Sequence, residues 1–348
     1  MAKSSAKSDS NGLVTPNKRA TSYDVARLAG VSQSAVSRCF KAGASVSAKT
    51  RAKVEKAAQK LGYQPNAIAR GLISGRSNIV AVIITDQTNL VYPEVLSLLN
   101  QAFAARDVHI LLFTLTSEGD VDRVVDQVWQ YQVDGIVAAA QLSDAHIRAC
   151  EDRDIPVVFY NRAYSQSNIS SVCCDHAEGE RVLVEQLVKD GRKRFLVMSG
   201  PTDSWVSTVR THGALQTLKK AKVEVREVAG DYSYDHACEL LDDTISDGYM
   251  PDAIVCANDT MAFGCIDTLR KDHGKSVPAE VAVVGFDGVS AAFWKSYDLT
   301  TVVQPVKRMV SATVSLLMEH IDDRELPAEK RFFAGELHRG SSGFLNES

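Results

Sequence analysis

The run TSYDVARLAGVSQSAVSRCFKAGASVSAKTRAKVEKAAQKLGYQPNAIARGL, residues 21–72, decides what the N-terminal part of the chain is. Its opening predicts a short helix from Tyr23 to Ala29, capped by Ser22, with Asp24 well placed against the positive end of the helix dipole. Gly30, within Ala29-Gly30-Val31-Ser32, supplies the backbone freedom a tight turn between helices needs. Ser32 then caps a second helix from Gln33 to Phe40, which exposes Gln33, Ser34, Ser37 and Arg38 and turns Val36 inward. A third helix, from Ala48 to Leu61, follows the cap Ser47 and stops at Gly62. Val54, Ala57, Ala58 and Leu61 line one face of it at i, i+3, i+4 and i+7. Ala26 is small enough for two helices to cross closely. The pattern is a helix-turn-helix with a supporting third helix, and its second helix is the one shaped to enter a major groove.

The charge distribution points the same way. The whole chain carries a formal −4, but residues 16–76 hold twelve Lys and Arg against only Asp24 and Glu55. That segment therefore has a surplus of ten positive charges, while the long remainder is acidic. A basic head on an acidic body implies a polyanion-binding module joined to a body with another task.

Length and composition narrow that task. The 348 residues predict about two domains with room for a small third. With 45% hydrophobic and 24% charged residues the chain reads as globular. No apolar run reaches the length of a spanning helix, and residues 1–20 show no secretory core, which together predict an intracellular, cytoplasmic protein without a membrane partner. Seven cysteines, at 39, 150, 173, 174, 238, 256 and 265, include no C-x-x-C pair and predict reduced thiols.

The stretch from Thr21 to Leu72 resembles, without a gap, the headpiece of the lactose-repressor/galactose-repressor (LacI/GalR) family. The shared pieces are Y-D-V-A, A-G-V-S, V-S-R, V-S-x-K-T-R, L-G-Y, P-N and A-x-x-L. The resemblance implies that Gln33 and Ser34 read bases and that Arg38 meets a guanine or a nearby phosphate. Tyr23, Ser32, Ser37, Ser47, Thr50, Tyr63 and Asn66 match positions that bind the DNA backbone or steady the headpiece. Asn66 to Ile73, with Ala69, matches a hinge helix that folds when two chains meet over the operator. Leu72 matches a leucine wedged into the minor groove; the bland alternative is a hinge-to-core contact. Gly71 should weaken such a hinge helix by roughly 0.5–1 kcal/mol. Ser34 and Ala35 are short, which shifts recognition toward Gln33, Arg38 and the deformability of the DNA.

From residue 77 onward, short apolar runs alternate with amphipathic segments. The runs are Ile79–Ile84, Ile110–Phe113, Gly135–Ala139, Val157–Tyr160, Phe195–Met198, Ile254–Ala257 and Val281–Gly285. They read as buried parallel strands in βα units, and the length suits two doubly wound lobes with ligand sites outside the strand carboxyl ends. The fold class is α/β. Its expected domains are a flexible tail over 1–19, a helix-turn-helix DNA-binding domain over 20–64, a hinge over 65–76 and a bilobal effector-binding and dimerisation domain over 77–348.

Catalytic motifs are missing: there is no G-x-G-x-x-G after a strand, no P-loop, no G-x-S-x-G and no H-E-x-x-H. His176 beside Cys173, Cys174 and Asp175 invites a metal or thiol site, but adjacent cysteines rarely share one ion. The reading is a binder with no catalytic residue, metal or cofactor. The body is similar to the periplasmic-binding-protein-like (type I) core of the same family. By position, Asn161, Arg210, Asn258, Asp287 and Gln304 match residues that hydrogen-bond an effector, Tyr232 matches an aromatic that stacks on it, and Tyr92 is a further candidate. Amides, a carboxylate, a forked guanidinium and a ring suit a hydroxylated ligand. Each residue could instead cap a loop or bridge lobes, and Trp205 and Trp294 fit stacking or core roles equally. Asp298 stands where the family commonly has proline, and residues 202–208 show no pattern tied to a sugar class.

The expected function is a homodimeric transcriptional regulator, a repressor by preference, on a pseudo-palindromic double-stranded DNA operator, controlled by a small effector (a sugar or related metabolite). Control by a protein co-effector, an activator role, and a sugar-binding transport protein are the alternatives. The last of these needs export, which the polar N-terminus and basic head do not suit. The end of the chain lacks a leucine heptad, so a dimer is expected over a tail-joined tetramer. Cytoplasmic, nucleoid-associated localisation follows from that reading.

Overall fold

A computed structural model describes residues 20–40, 44–64, 76–85, 90–115, 121–162 and 169–344. The chain divides into two units, Met1–Ser77 and Asn78–Ser348. Asn66, Ala69, Gly71 and Leu72 of the expected hinge lie outside the described residues, as does the tail over 1–19.

The first unit contains three helices: α1 (Ser22–Ala29), α2 (Gln33–Cys39) and α3 (Ala48–Leu61). The cap of α1 is Thr21, not Ser22. Thr21 Oγ1 accepts from the Asp24 amide while the Asp24 carboxylate accepts from the Thr21 amide, a reciprocal capping box. Ser22 instead accepts a hydrogen bond from Gln33 Nε2 at 3.4 Å, tying α1 to α2. Ser32 and Ser47 cap α2 and α3 as the sequence predicts. Gly30 and Gly62 close α1 and α3 with φ of 66° and 61°, the left-handed conformation that glycine adopts without steric cost. Val25, Ala26, Val36, Cys39, Val54, Ala57 and Ala58 form the small core, with the Tyr63 and Phe40 rings 5.9 Å apart at its edge. Leu61, expected on the buried stripe, is 37% exposed. It is the last helical residue of α3.

The second unit is built on two six-stranded sheets. The first contains β1 (Ile79–Thr85), β2 (His109–Leu115), β3 (Gly135–Ala138), β4 (Val157–Tyr160) and β5 (Ser170–Cys174), joined by β11 (Lys330–Phe333) in the order β11-β5-β4-β3-β1-β2. The second contains β6 (Arg194–Ser199), β7 (Glu224–Ala229), β8 (Ala253–Cys256), β9 (Ala282–Asp287) and β10 (Thr300–Val303), joined by β12 (Glu336–His338) in the order β12-β10-β9-β8-β6-β7. All pairings are parallel except β10 with β12. The helices in chain order are α4 (Tyr92–Ala104), α5 (Val121–Trp129), α6 (Asp144–Glu151), α7 (His176–Lys189), α8 (Trp205–Ala221), α9 (Tyr234–Ser246), α10 (Asp259–Lys271) and α11 (Val306–Asp322).

The chain passes between the lobes three times: after β5, after β10, and between β11 and β12. One apolar cluster runs from Val80, Val82 and Leu99 in the first lobe through to Phe195, Val283 and Phe286 in the second. The other face of the first sheet has its own core around Ile83, Leu115, Ile136 and Phe159. The strands absent from the sequence reading, β5, β7, β10, β11 and β12, are short or polar. β5 is fully buried yet reads SSVCC, and β7, at an edge, contains only exposed and half-buried residues.

Replacing Thr21 by Ala should destabilise α1 by about 1 kcal/mol, whereas Ser22→Ala should cost clearly less. Native-state hydrogen exchange of the α1 amides distinguishes the two; the opposite ranking would return the cap to Ser22.

Candidate functional site

Two surfaces collect the residues singled out by sequence. On the first unit, α2 presents Ser34, Ser37 and Arg38 to solvent while Val36 and Cys39 pack inward. The amphipathic split is set by spacing: 34, 37 and 38 share a helical face at i, i+3 and i+4. Arg38 lies along its own helix, Nε donating to the Ser34 carbonyl at 3.4 Å, and Ser34 Oγ sits 3.0 Å from Ser32 Oγ. Gln33 is half-buried by its bond to Ser22. Tyr23 is 68% exposed at the first turn of α1. Ser47 and Thr50 share a hydroxyl contact of 2.8 Å at the start of α3. Tyr63 packs into the headpiece core. Arg51, which the sequence reading left aside, donates from Nη1 to the Cys39 carbonyl at 2.6 Å and so closes the end of α2.

In the second unit, a cavity of about 40 Å³ lies at the strand carboxyl ends, between the lobes. Thr85, Tyr92, Ala139, Tyr160, Asn161 and Arg162 line it from the first lobe, and Asp203, Ser204, Val206, Arg210 and Tyr232 from the second. Four of the seven expected effector residues thus meet there. Tyr92 does so from the first turn of α4, beside Pro93. A larger cavity of about 290 Å³ opens at the opposite, amino ends of β4 and β5, lined by Cys150, Ser170, His320 and neighbours. It holds none of the expected residues, and the convergent polar groups make the smaller cavity the candidate site.

The floor of the second lobe is a buried polar cluster centred on Arg210. Its Nη2 donates to Asp287 Oδ1 at 2.7 Å, its Nη1 to the Ala257 carbonyl at 2.6 Å and its Nε to His176 Nδ1 at 3.2 Å. The guanidinium also lies 3.8 Å from the Phe286 ring centre. Gln304 Nε2 donates to the same Asp287 oxygen at 2.7 Å. Asp287 and Gln304 therefore act from behind the cavity wall, through Arg210. Asn258 is spent on the backbone: Oδ1 accepts from the Met261 amide as the cap of α10, and Nδ2 donates to the Tyr232 carbonyl.

Asn161, Tyr232 and Asp287 all have positive φ, at 56°, 70° and 127°. Such conformations are costly for residues other than glycine and gather where side chains must be aimed into a site. Tyr232 is fixed by its hydroxyl, 3.1 Å from Ser204 Oγ, and by Gly200, where any side chain would overlap its ring.

Burial sets the charges here. His176 is held well below its ordinary pKa by burial and then by Arg210, so the ring is neutral. Its Nδ1 accepts from Arg210, which puts the ring proton on Nε2, a buried atom with no hydrogen-bond partner among the described residues. Burial pushes Glu180 up to about 8 against the opposing pull of Arg210. Asp259 is pushed up to about 7 by burial and the nearby Asp287 carboxylate, although Thr301 and the Val289 amide both donate to it. Trp205 meets His176 edge-on at 6.2 Å, whereas Trp294 is 59% exposed and belongs neither to the core nor to the cavity lining.

Sequence reasoning passed over Tyr160, Ser204 and Asp203. Tyr160 was absorbed into the apolar run VVFY, where a polar tip on the last strand residue is the available signal. Among the described residues no cluster of His, Cys, Asp and Glu is arranged to hold a metal ion, and no helix is long and apolar enough to cross a membrane.

A basic helix-turn-helix unit and a two-lobed body with a polar cleft define a ligand-responsive DNA-binding regulator. The family described as "Bacterial regulatory proteins, lacI family" matches residues 21–66, and "Periplasmic binding proteins and sugar binding domain of LacI family" matches 77–331. The chain is 31% identical to the HTH-type transcriptional repressor PurR of Vibrio atlanticus, over 92% of this chain and 96% of that one. It is 30% identical to catabolite control protein A of Priestia megaterium, over 87% and 92%. The crystal structure of the lac repressor dimer bound to operator and the anti-inducer ONPF matches with a TM-score of 0.85 at 25% identity, covering 94% of this chain and all of that one. This chain belongs to the LacI family of DNA-binding transcriptional regulators and, as such, is a cytoplasmic protein and not an enzyme.

The raised Glu180 fixes the sign of a pH effect. Between about 4.5 and 8 the folded chain keeps a proton that the unfolded chain has released, so stability falls as pH rises through this window, and Asp259 adds to the trend. Glu180→Gln removes one contribution, and the variant should gain on the parent protein from pH 5 to pH 8. Urea midpoints at the two pH values measure the gain; an unchanged difference would show that Glu180 does not titrate in that range.

Proposed function

We propose that the protein is a homodimeric repressor that reads a pseudo-palindromic operator and is controlled by a small, oxygen-rich effector held at the Arg210 cavity. The observation that carries the DNA-binding half is the exposed face of α2, Ser34, Ser37 and Arg38, on a unit with a large positive surplus. In this reading α2 enters the major groove, with Gln33, Ser34 and Arg38 toward the base edges. Tyr23, Ser32, Ser37, Ser47 and Thr50 contact phosphates or hold the headpiece in register, and Tyr63 supports them from the core. Residues 65–76 serve as the hinge, with Asn66, Ala69 and Leu72 at the minor groove. Association with the nucleoid follows from operator binding.

Effector binding draws on Tyr92, Asn161, Arg210 and Tyr232 at the cavity, with Asp287 and Gln304 orienting Arg210 and Asn258 fixing the Tyr232 backbone. Of the five N–H donors of Arg210, three are engaged within the lobe, which leaves two for a ligand. A cavity of about 40 Å³ holds a water or a small group and excludes a sugar ring, so ligand entry requires the lobes to part. The change in lobe angle then biases whether paired hinges form over the operator, a coupling typically worth about 1–3 kcal/mol.

Titrating the protein with operator DNA at increasing salt tests the first half. Affinity should fall steeply with salt as counterions are released, and Arg38→Ala should cost about 1–3 kcal/mol and relax preference at one base position. A loss equal on all sequences would make Arg38 a phosphate contact, and salt-independent weak binding would end the DNA-binding reading. For the second half, a metabolite that raises the melting temperature of the full chain should also shift the operator titration; stabilisation without any shift would remove the regulatory link.

A further inference from the structure

Residues along β4 alternate between two cores. Val157 and Phe159 enter the one around Ile83, while Val158 and Tyr160 enter the one that continues into the second lobe. A phenylalanine would pack the last of these positions as well, so the hydroxyl of Tyr160 is not there for the core. It is also left unused by the fold. Tyr160 is 2% exposed, yet its hydroxyl has no hydrogen-bond partner among the described residues.

Other tyrosines of the second unit show what a satisfied phenol looks like. The Tyr232 hydroxyl meets Ser204 Oγ at 3.1 Å. Even the half-buried Tyr234, Tyr249 and Tyr297 donate, to Asp267, to the Phe195 carbonyl and to Asp267 again. Tyr160 departs from this pattern at the wall of the interlobe cavity. A buried hydroxyl without a partner is costly, and one placed at a ligand cavity has a reason to persist if the ligand completes it. Burial, and then the neighbouring Tyr92, push its pKa far up, so it keeps its proton. Arg210, the cation of the facing wall, is already matched by Asp287 at 2.7 Å. The bond on offer from Tyr160 is therefore that of a neutral group that can both donate and accept, and a ligand hydroxyl has the same two capacities.

Resting on the effector-cleft reading above, we propose that Tyr160 is a specificity-determining contact of the first lobe, which hydrogen-bonds one hydroxyl of a polyhydroxylated effector, a sugar or sugar alcohol. A site built to bond a hydroxyl rejects the analogue that lacks it, because the protein group is then left buried and unpaired. Tyr160 thus selects for oxygen at one carbon of the effector.

Thermal shifts of the full chain with D-ribose, D-glucose, D-galactose and D-mannitol, followed by the monodeoxy analogues of whichever stabilises, test this. At least one probe should raise the melting temperature, and one of its monodeoxy analogues should bind at least about tenfold more weakly. Tyr160→Phe should lose as much affinity for the full probe and hardly distinguish it from that analogue, since the two deletions remove the same bond and do not add. Without ligand the variant should melt at or above the parent protein. The assignment is overturned if no probe stabilises, if Tyr160→Phe keeps full affinity, or if the two losses add in full for every analogue. It is equally overturned if the variant melts lower without ligand, which would give the hydroxyl a structural partner. Operator binding by the same preparations separates the two layers: retained, only the Tyr160 assignment falls; absent, the regulator reading falls with it.

Discussion

A single buried ion pair organises the second lobe. Arg210 and Asp287 face each other at 2.7 Å with both side chains almost fully removed from water. Pairs of this kind are held by geometry more than by net stabilisation, because each charge loses its hydration. Here the geometry is over-determined. Ala257, His176 and the Phe286 ring fix the guanidinium, while Gln304 and a left-handed backbone at the end of β9 fix the carboxylate. The cluster spans α7, α8, β9 and the segment leading into α11, so the wall of the cleft is as rigid as the lobe beneath it. A rigid, partly satisfied cation at a cleft is what lets a ligand be recognised by a small number of bonds.

The same cluster explains why some groups keep or lose their protons. His176, Glu180 and Asp259 are all driven toward neutrality by burial, leaving Arg210 and Asp287 as the charges that matter. On the first unit the charges lie on the surface instead, where they are cheap to maintain and act at a distance. The acidic body and the basic head thus use electrostatics in two ways, one through desolvation and one through a long-range field.

Much of this was legible in the chain. The capping serines, the terminating glycines and the i, i+3, i+4 stripe marked α2 and α3 to within a residue, because caps and periodicity are local signals. At α1 two adjacent hydroxyls compete for one role, and only the reciprocal partner, Asp24 three residues after Thr21, decides between them. Seven strands announced themselves as apolar runs. β5 did not, since small Ser and Cys side chains can be buried without looking hydrophobic, and edge strands such as β7 and β11 need only one covered face. In the cleft, Asn161 stood out by its position just past a strand end, whereas Arg210 and Tyr232 came from the family resemblance and Tyr92 was a further candidate. The division of labour was not legible: that Asn258 serves the backbone and that Asp287 works through Arg210 depends on contacts 26 and 77 residues apart in sequence. Tyr160 was hidden because a strand residue and a site residue can be the same residue.

The threefold passage of the chain between lobes has a consequence for how the protein is made. The first lobe is not a contiguous segment: α11 and β11, which complete it, are translated only after strands β6 to β10 of the second sheet. Emerging from the ribosome, the headpiece can form from neighbouring residues alone, whereas the edge of β5 stays unpaired for some 150 residues of synthesis. Until then the nascent chain carries an open strand edge, the kind of surface that recruits chaperones or pairs wrongly. A chain stopped before β11 would carry the headpiece on a first sheet that lacks its edge strand.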